Sequence, residues 1–268
     1  MSAERPARLG LRVLALAYLG ALLLVPVGVV LYRTLEPGIG AVWASLTTPA
    51  AIHAFQLTMT AALVAVPLNT VLGILAALVI VRGRFRGRAL LDTVIDLPFA
   101  ISPIVVGLSL IFVYGRTGWL GDALARAGIQ IIFSWPAIVL ATVFVTVPFV
   151  AREVAPVLRE IGTEQEQAAA TLGASSWQTF RRVTLPAIRW GVAYGVVLST
   201  ARAIGEFGAV SVVSGHIAGQ TETLTLLVQE RFENFNVAGA YAASALLAVI
   251  ALCTLLAMTM IKPRKEYA

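Results

Sequence analysis

Six long apolar stretches limit what this chain of 268 residues can fold into. A helix of about 20 mostly apolar residues crosses the roughly 30 Å hydrocarbon core of a bilayer. The chain is 59% hydrophobic and 13% charged, with a mean hydropathy of +0.87, which is more apolar than a soluble domain. We therefore predict an all-α integral membrane protein, one transmembrane domain over residues 1–268, with spans at approximately 13–31, 55–81, 91–114, 135–150, 190–213 and 237–261.

The positive charges predict how the chain is threaded through the membrane. Short loops rich in Lys and Arg stay in the cytoplasm. Most of the 20 Lys and Arg residues share one set of segments, at 5–12, 82–88, 152–189 and 262–265. Those on the other side are Arg33, Arg116, Arg126 and Arg231, and Arg202 lies within a span. We predict that both termini are inside, and we interpret the pI of about 10.0 as a topology signal, not as a nucleic-acid-binding patch.

The first apolar stretch resembles a secretory signal but is too long for one. The apolar part of a signal has about 7–15 residues, and no small-residue cleavage site follows this stretch. We expect a retained membrane anchor. The only cysteine, Cys253, lies in the last apolar stretch, so an intrachain disulfide is excluded.

A patterned polar segment, TEQEQAAATLGASSWQTFRRVTLP at 163–186, separates the fourth and fifth stretches. Thr163 with Glu166 has the spacing of a capping box, in which a hydroxyl and a carboxylate satisfy free N–H groups at a helix start. Gly173 suits the left-handed conformation that ends many helices. Ser175 with Gln178 repeats the capping spacing, and the second helix is expected to end before Leu185 because Pro186 restricts that residue. The pattern predicts helix, glycine, helix.

Both short helices need a contact to be stable, since isolated helices of this length are marginal in water. Trp177, Phe180 and Val183 or Thr184 recur at helical spacing and form an apolar stripe, and small alanines at 168–170 permit close approach. One interpretation is an amphipathic element lying on lipid headgroups. The other, which the double capping favours, is a docking site for a protein.

The spacing of Gln167-Ala168-Ala169, Gly173, Val183 and Leu185-Pro186 resembles the EAA motif of ABC-importer permeases, E-A-A-x3-G-x9-I-x-L-P. The resemblance implies a type I ABC-importer permease fold with a cytoplasmic coupling helix that docks in a groove of an ATPase dimer. The residues that it assigns to this coupling are Gln167, Ala168, Ala169, Gly173, Trp177, Phe180, Leu185 and Pro186. Because Gln167 replaces the motif's glutamate, the contact is either a hydrogen bond from Gln167 or a charge supplied by Glu166.

Two further segments, WQTFRRVTLPAIRW at 177–190 and ARAIGEFGAVSVVSGHIAG at 201–219, resemble sulfate/thiosulfate permease subunits of the CysW type. The resemblance implies a multi-pass protein of the bacterial inner membrane, an oxyanion substrate, a CysT-like second permease subunit or a second copy, and a periplasmic sulfate-binding protein. Molybdate or tungstate permeases have a similar GEFGA segment and stay an alternative. A secondary anion transporter, from another class, would be expected to carry paired repeats with broken helices.

Arg202 and Glu206 are expected inside the fifth span, where charge is costly and usually faces a partner or a cavity. Their spacing of four puts them on one helix face, which favours a structural ion pair. The functional alternative is a substrate path in which Arg202 attracts a dianion weakly enough for release, with Ser211 and Ser214 as further donors.

Other chemistry has little support in the sequence. Asp92 and Asp96 share one helix face, so pairing with Arg86 or Arg88 is favoured over an aspartyl protease. The two histidines, His53 and His216, lack a ligand cluster with zinc spacing. The chain contains no G-x4-G-K-S/T loop, so we expect no cofactor, no metal and no enzyme activity of its own, with ATP hydrolysed by another chain.

Overall fold

The structure is a computed structural model that describes residues 4–261, with side chains for 11–257. Every regular element in this part of the chain is helical, which confirms the predicted all-α class. The helices are α1 Glu4–Leu35, α2 Ile39–Leu46, α3 Pro49–Arg82, α4 Arg88–Ala100, α5 Pro103–Tyr114, α6 Gly121–Arg126, α7 Trp135–Ile161, α8 Glu164–Thr171, α9 Ser176–Thr179, a π-helical turn Phe180–Thr184, α10 Leu185–Ile204, α11 Gly208–Val213, α12 Leu224–Glu233 and α13 Val237–Ile261.

Four helices of the described residues are long and apolar enough to cross a bilayer. They overlap the first, second, fourth and sixth predicted stretches, and α13 has the predicted bounds. In contrast, α3 begins at Pro49 and α7 continues to Ile161, both beyond the predicted bounds. The pair α4 and α5 forms a fifth span if it is counted as one broken helix. Lys262, Arg264 and Lys265, which support the inside C terminus, lie outside the described residues.

The third predicted span is bent by 111° between α4 and α5. Ile101 and Ser102, at the break, have extended ψ angles of 136° and 134°. Pro103 explains the break, because a proline ring disfavours helical geometry in the residue before it. Pro103 then opens α5 at the first turn, where its missing N–H costs nothing.

The fifth predicted span does not continue to residue 213 as one helix. The helix α10 ends at Ile204, and Gly205 to Phe207 lead into the separate short helix α11. Two arginines, Arg189 and Arg202, lower the hydropathy of α10, and it is not among the four long apolar helices. Because α10 packs on α3, α7 and α13, less of its surface faces lipid, and it can span the membrane with a lower hydropathy.

The centre of the bundle is the contact of α3, α7 and α10. Two glycines allow the close approach: a Cβ on Gly73 would lie 2.7 Å from Val150 Cβ, and one on Gly195 would lie 2.8 Å from Val150 Cα. Val150 is fully buried between them. In contrast, the spanning window of α1 has no buried residue in this chain and lies at the periphery, against α13.

Candidate functional site

The polar segment after α7 folds as two helices joined by a glycine. Gly173 has φ +83°, as predicted. Its N–H donates to Ala170 O at 3.0 Å, and the Ala174 N–H donates to Ala169 O at 3.1 Å. These two bonds form the Schellman motif, which satisfies the last carbonyls of α8. The angle between α8 and α9 is therefore fixed by the left-handed glycine.

One of the two predicted capping boxes forms. At the second helix, Ser175 Oγ accepts from the Gln178 N–H at 3.3 Å, and Gln178 Oε1 accepts from the Ser175 N–H at 2.9 Å. The first box, at Thr163, was wrong: Thr163 makes no side-chain cap bond to α8 and accepts instead from Gln167 Nε2 at 3.1 Å. Thr163 has φ −116° and ψ 0°, far from the extended backbone of a capping residue, and Glu166 is held elsewhere.

The second helix does not end before Leu185, contrary to the prediction. The π-helical turn Phe180–Thr184 links α9 directly to α10, and the Leu185 N–H donates to Phe180 O. Pro186 is then at the first turn of α10, where its missing N–H is tolerated. The wider π turn admits the proline where an α-helix would break, so α9, the π turn and α10 form one helical rod.

The segment leaves an apolar surface exposed at its tip. Trp177 is 66% exposed and stacks on Phe180 with ring centroids 5.7 Å apart. Gln167, Ala168, Gly173 and Pro186 are also exposed, while Ala169, Phe180 and Leu185 are half-buried. Leu172, which the sequence interpretation did not select, is 88% exposed. The sequence does carry a signal for this exposed residue. Leu172 is a large apolar residue directly before Gly173, and the preceding helix contains only polar residues and alanines.

Glu166 turns away from this surface and into the bundle. Its carboxylate lies 3.0 Å from Arg82 Nε and accepts from Thr184 Oγ1 at 2.9 Å. Arg82 ends α3, and Thr184 is buried in the π turn. Gln167, one residue later, stays exposed. Of the two side chains, only Gln167 is therefore exposed on the outer surface of α8.

Arg202 and Glu206 form an ion pair, with Nη2 and Oε2 2.8 Å apart. The pair was predicted within one helix, but Glu206 lies beyond the end of α10. Its Oε1 accepts from the Ala209 N–H at 2.9 Å, and its side chain is 1% exposed. Its backbone O accepts from Thr225 Oγ1. Glu206 thus joins α10, α11 and α12, whereas the Arg202 side chain keeps 37% of its surface exposed.

The two serine candidates are bonded within their own segment. Ser211 Oγ donates to Gly208 O at 2.9 Å. Ser214 is buried, donates to Thr221 O at 2.9 Å and accepts from the His216 N–H at 3.0 Å. The structure therefore brings Arg202 and Glu206 together and uses the Ser214 hydroxyl to close the turn after α11.

The acidic pair Asp92 and Asp96 contacts Arg152 of α7, not Arg86 or Arg88 as predicted. Arg152 Nη1 lies 2.8 Å from Asp92 Oδ1, and Nε donates to Asp96 Oδ1 at 2.6 Å. One guanidinium thus ties α4 to α7, which explains why both carboxylates share a helix face. Among the described residues, no three His, Cys, Asp or Glu side chains are grouped as a metal site would require.

Taken together, a bundle of apolar helices with an exposed helix pair joined by a glycine has the architecture of a membrane transport subunit. Residues 69–267 match the family described as the inner membrane component of binding-protein-dependent transport systems. The chain therefore belongs to that family of permease subunits and is of the CysW type by its curated relatives. In such systems the hydrolysis of ATP belongs to a separate subunit.

The curated relatives match over nearly the whole chain. The sulfate transport system permease protein CysW of Synechocystis is 51% identical over 251 residues, covering 94% of this chain and 91% of the relative. The CysW protein of Escherichia coli K12 is 49% identical and covers 91% and 84%. The CysT protein of the same bacterium is 39% identical and covers 90% and 86%.

Solved structures share the fold. A bacterial ABC transporter for the import of alginate superposes with a TM-score of 0.80 at 20% identity, covering 98% of both chains. An amino acid ABC transporter gives a TM-score of 0.56 at 17% identity, covering 80% of this chain and 92% of the other. At these identities the likeness shows the ABC-importer permease fold alone.

Proposed function

We propose that this chain is the membrane channel subunit of an ATP-driven importer for sulfate and thiosulfate. The curated relatives named as sulfate permeases support the substrate, at 51% and 49% identity. The observation that carries the coupling role is the exposed surface of Leu172 and Trp177 on helices fixed by the left-handed Gly173. This surface docks in a groove of a cytoplasmic ATPase dimer, with Gln167 as a hydrogen-bonding contact.

In the proposed assembly, this subunit pairs with a CysT-type permease and receives its anion from a periplasmic sulfate-binding protein. The chain crosses the bacterial inner membrane six times, with both termini inside and α10 as the fifth span. The geometry supports this threading, because Arg82 at the end of α3 bonds to Leu158 O and to Glu166 of the proposed coupling segment, residues 163–186. The Phe133 N–H bond to Val213 O joins the loop before α7 to the end of α11, on the side assigned to the outside.

The substrate passes between the two permease subunits. Arg202 is the proposed attraction point for the dianion, since its side chain is partly exposed. The ion pair with Glu206 weakens the attraction of Arg202 for the dianion. Ser211 and Ser214 stay candidates for the path, although their hydroxyls bond to the backbone of their own segment. ATP-driven closure of the ATPase pair moves the segment around Gly173, and the spans alternate between inward- and outward-facing states.

Radiolabelled sulfate uptake into proteoliposomes tests the assignment, using this subunit with a CysT-type partner, the ATPase and a sulfate-binding protein. We expect ATP-dependent uptake that thiosulfate inhibits and molybdate does not, and co-purification of the ATPase. Arg202→Gln should raise the sulfate concentration needed for half-maximal uptake. Uptake of molybdate in preference to sulfate would assign the chain to the rival oxyanion, and uptake without any ATPase would assign it to secondary transport.

A further inference from the structure

Arg82, at the end of α3, bonds to two other elements at once. Its Nη1 donates to Leu158 O at 3.0 Å, and its Nη2 donates to Gly162 O and, at 3.3 Å, to Glu166 Oε1. Leu158 and Gly162 belong to the last turn and the C-terminal cap of α7, and Glu166 belongs to α8. The guanidinium therefore lies where the second span, the fourth span and the coupling segment meet.

The carbonyls that Arg82 satisfies are those that a helix leaves free at its C-terminal end. The negative end of the α7 dipole adds to the attraction of a cation there. Leu158 is fully buried, and the Arg82 side chain is 21% exposed, so the bonds are largely shielded from water. Charge-assisted hydrogen bonds of this kind are stronger than hydrogen bonds between neutral groups.

The helix α8, the first of the proposed coupling segment, has few other contacts with the spans. None of its side chains, all within the described residues, is fully buried. A groove of about 520 Å³ separates it from α3 and is lined by Leu75, Leu78, Arg82, Glu166, Trp177 and Phe180. Across that groove, the Arg82–Glu166 pair is the direct polar tie to the spans, and Thr184 connects the same carboxylate to the rod that continues into α10.

We propose that Arg82 is a positioning residue that transmits movement of the coupling helix to the spans, acting through Glu166. This inference rests on the proposed coupling function. Because Arg82 holds the end of α7 and the carboxylate of α8 together, a pull on α8 moves α3 and α7 with it. Without the pair, α8 can shift into the groove while the spans stay in place. Glu166 then serves inside the permease and is not an ATPase contact.

The experiment compares sulfate transported per ATP hydrolysed in the reconstituted full complex. Arg82→Met removes the clamp, and Glu166→Gln removes only the charge while keeping the shape and a hydrogen bond to Thr184. The matched control is Arg84→Met, which removes an exposed arginine two residues after Arg82 and so tests the loss of a positive charge alone. Each variant is compared at equal amounts of assembled complex, so that lost folding does not mimic lost coupling.

We expect both variants to reduce the transport-to-hydrolysis ratio about tenfold, a size typical of coupling between sites, and the control to keep the normal ratio. If the two residues act through each other, the double variant is no worse than Arg82→Met alone. A normal ratio in Glu166→Gln overturns the inference, even if Arg82→Met fails to assemble. If the unaltered complex shows no ATP-dependent uptake, the proposed function has failed instead.

Discussion

At the scale of single residues, two neighbours on α8 face different surroundings. Successive residues on a helix are about 100° apart, so Glu166 reaches Arg82 and Thr184 while Gln167 stays exposed. The residue that carries the charge is therefore used inside the subunit, and the exposed neighbour is a neutral amide. This division explains how the chain keeps an acidic residue next to the motif position without offering that charge to a partner.

Glu222 is a second residue whose charge state the fold controls. It lies between α11 and α12, outside the candidate spans, and is 3% exposed, with no hydrogen bond to Oε2 in the described part of the chain. Burial raises the pKa of Glu222, and Glu230 raises it further, while Arg231 and His216 act in the opposite direction. The folded protein therefore binds this proton more tightly than the unfolded chain does.

Replacing Glu222 with Gln should stabilise the protein at neutral pH. A raised folded-state pKa lowers stability as pH rises from the unfolded value, about 4.3, through the folded value. Thermal melts of the detergent-solubilised protein between pH 4 and 8 should show Glu222→Gln above the wild type at the upper end and equal to it at the lower end. A constant difference at all pH values would contradict the role of this ionisation.

At the scale of elements, the polar segment 163–186 combines a fixed turn at Gly173 with a helix that continues into α10. Gly173 fixes the turn between α8 and α9, and the π turn joins α9 to α10 without a stop. A displacement of α9 is therefore passed along the rod to α10, whereas α8 is tied to α3 and α7 through Arg82. The same continuity explains how a proline at 186 is compatible with a helix that runs from Ser176 to Ile204.

Gly173→Val should insert normally in the membrane but lose ATP-driven uptake. At φ +83° a β-branched side chain is strained by roughly 1–3 kcal/mol, although there is open space around the position. We expect α8 and α9 to be reoriented, with the spans unchanged. Gly38→Val is the matched control, because Gly38 has φ +89°, equally open surroundings and no part in the segment. Normal uptake by Gly173→Val at wild-type expression would show that the left-handed turn at Gly173 is not needed for coupling.

At the scale of the whole molecule, the helices differ in what surrounds them. In the central trio, α7 has 61% of its spanning window buried, whereas α1 has 0%. Glycines at the crossing points let α3 and α10 approach α7 closely around the buried Val150, as is typical of helix packing in membranes. The peripheral α1 keeps its apolar surface free for lipid or another subunit.

Gly73→Ala should destabilise the bundle by about 1–3 kcal/mol, the usual cost of an overpacked core. The added methyl would lie 2.7 Å from Val150 Cβ and 2.9 Å from the Ala151 backbone N, neither of which can move freely. Thermal unfolding in detergent measures the loss. The control Gly28→Ala adds the same methyl on α1, where no heavy atom outside its own helix lies within 4 Å, and should be neutral or slightly stabilising. Equal melting temperatures for both variants would show that the crossing is not tight.

The sequence by itself determined the features that depend on neighbouring residues. Four of the six predicted apolar spans, the left-handed glycine at 173 and the capping box at Ser175 are local features, and they form as predicted. The family resemblance likewise rests on a local spacing. Local rules succeed here because hydropathy, backbone conformation and capping are decided within a few residues.

Arg202 and Glu206 meet as their spacing predicts, but only the tertiary structure decided which charges far apart in the sequence meet. Glu166 lies 84 positions from Arg82, so no local rule could draw it away from the expected cap at Thr163. Arg152 lies 56 positions from Asp96 and outcompetes the nearer Arg86 and Arg88 for the same reason. The end of α10 before Glu206 also depends on contacts with α11 and α12. In a low-dielectric interior, a charge takes the partner that packing brings to it, and sequence distance does not matter.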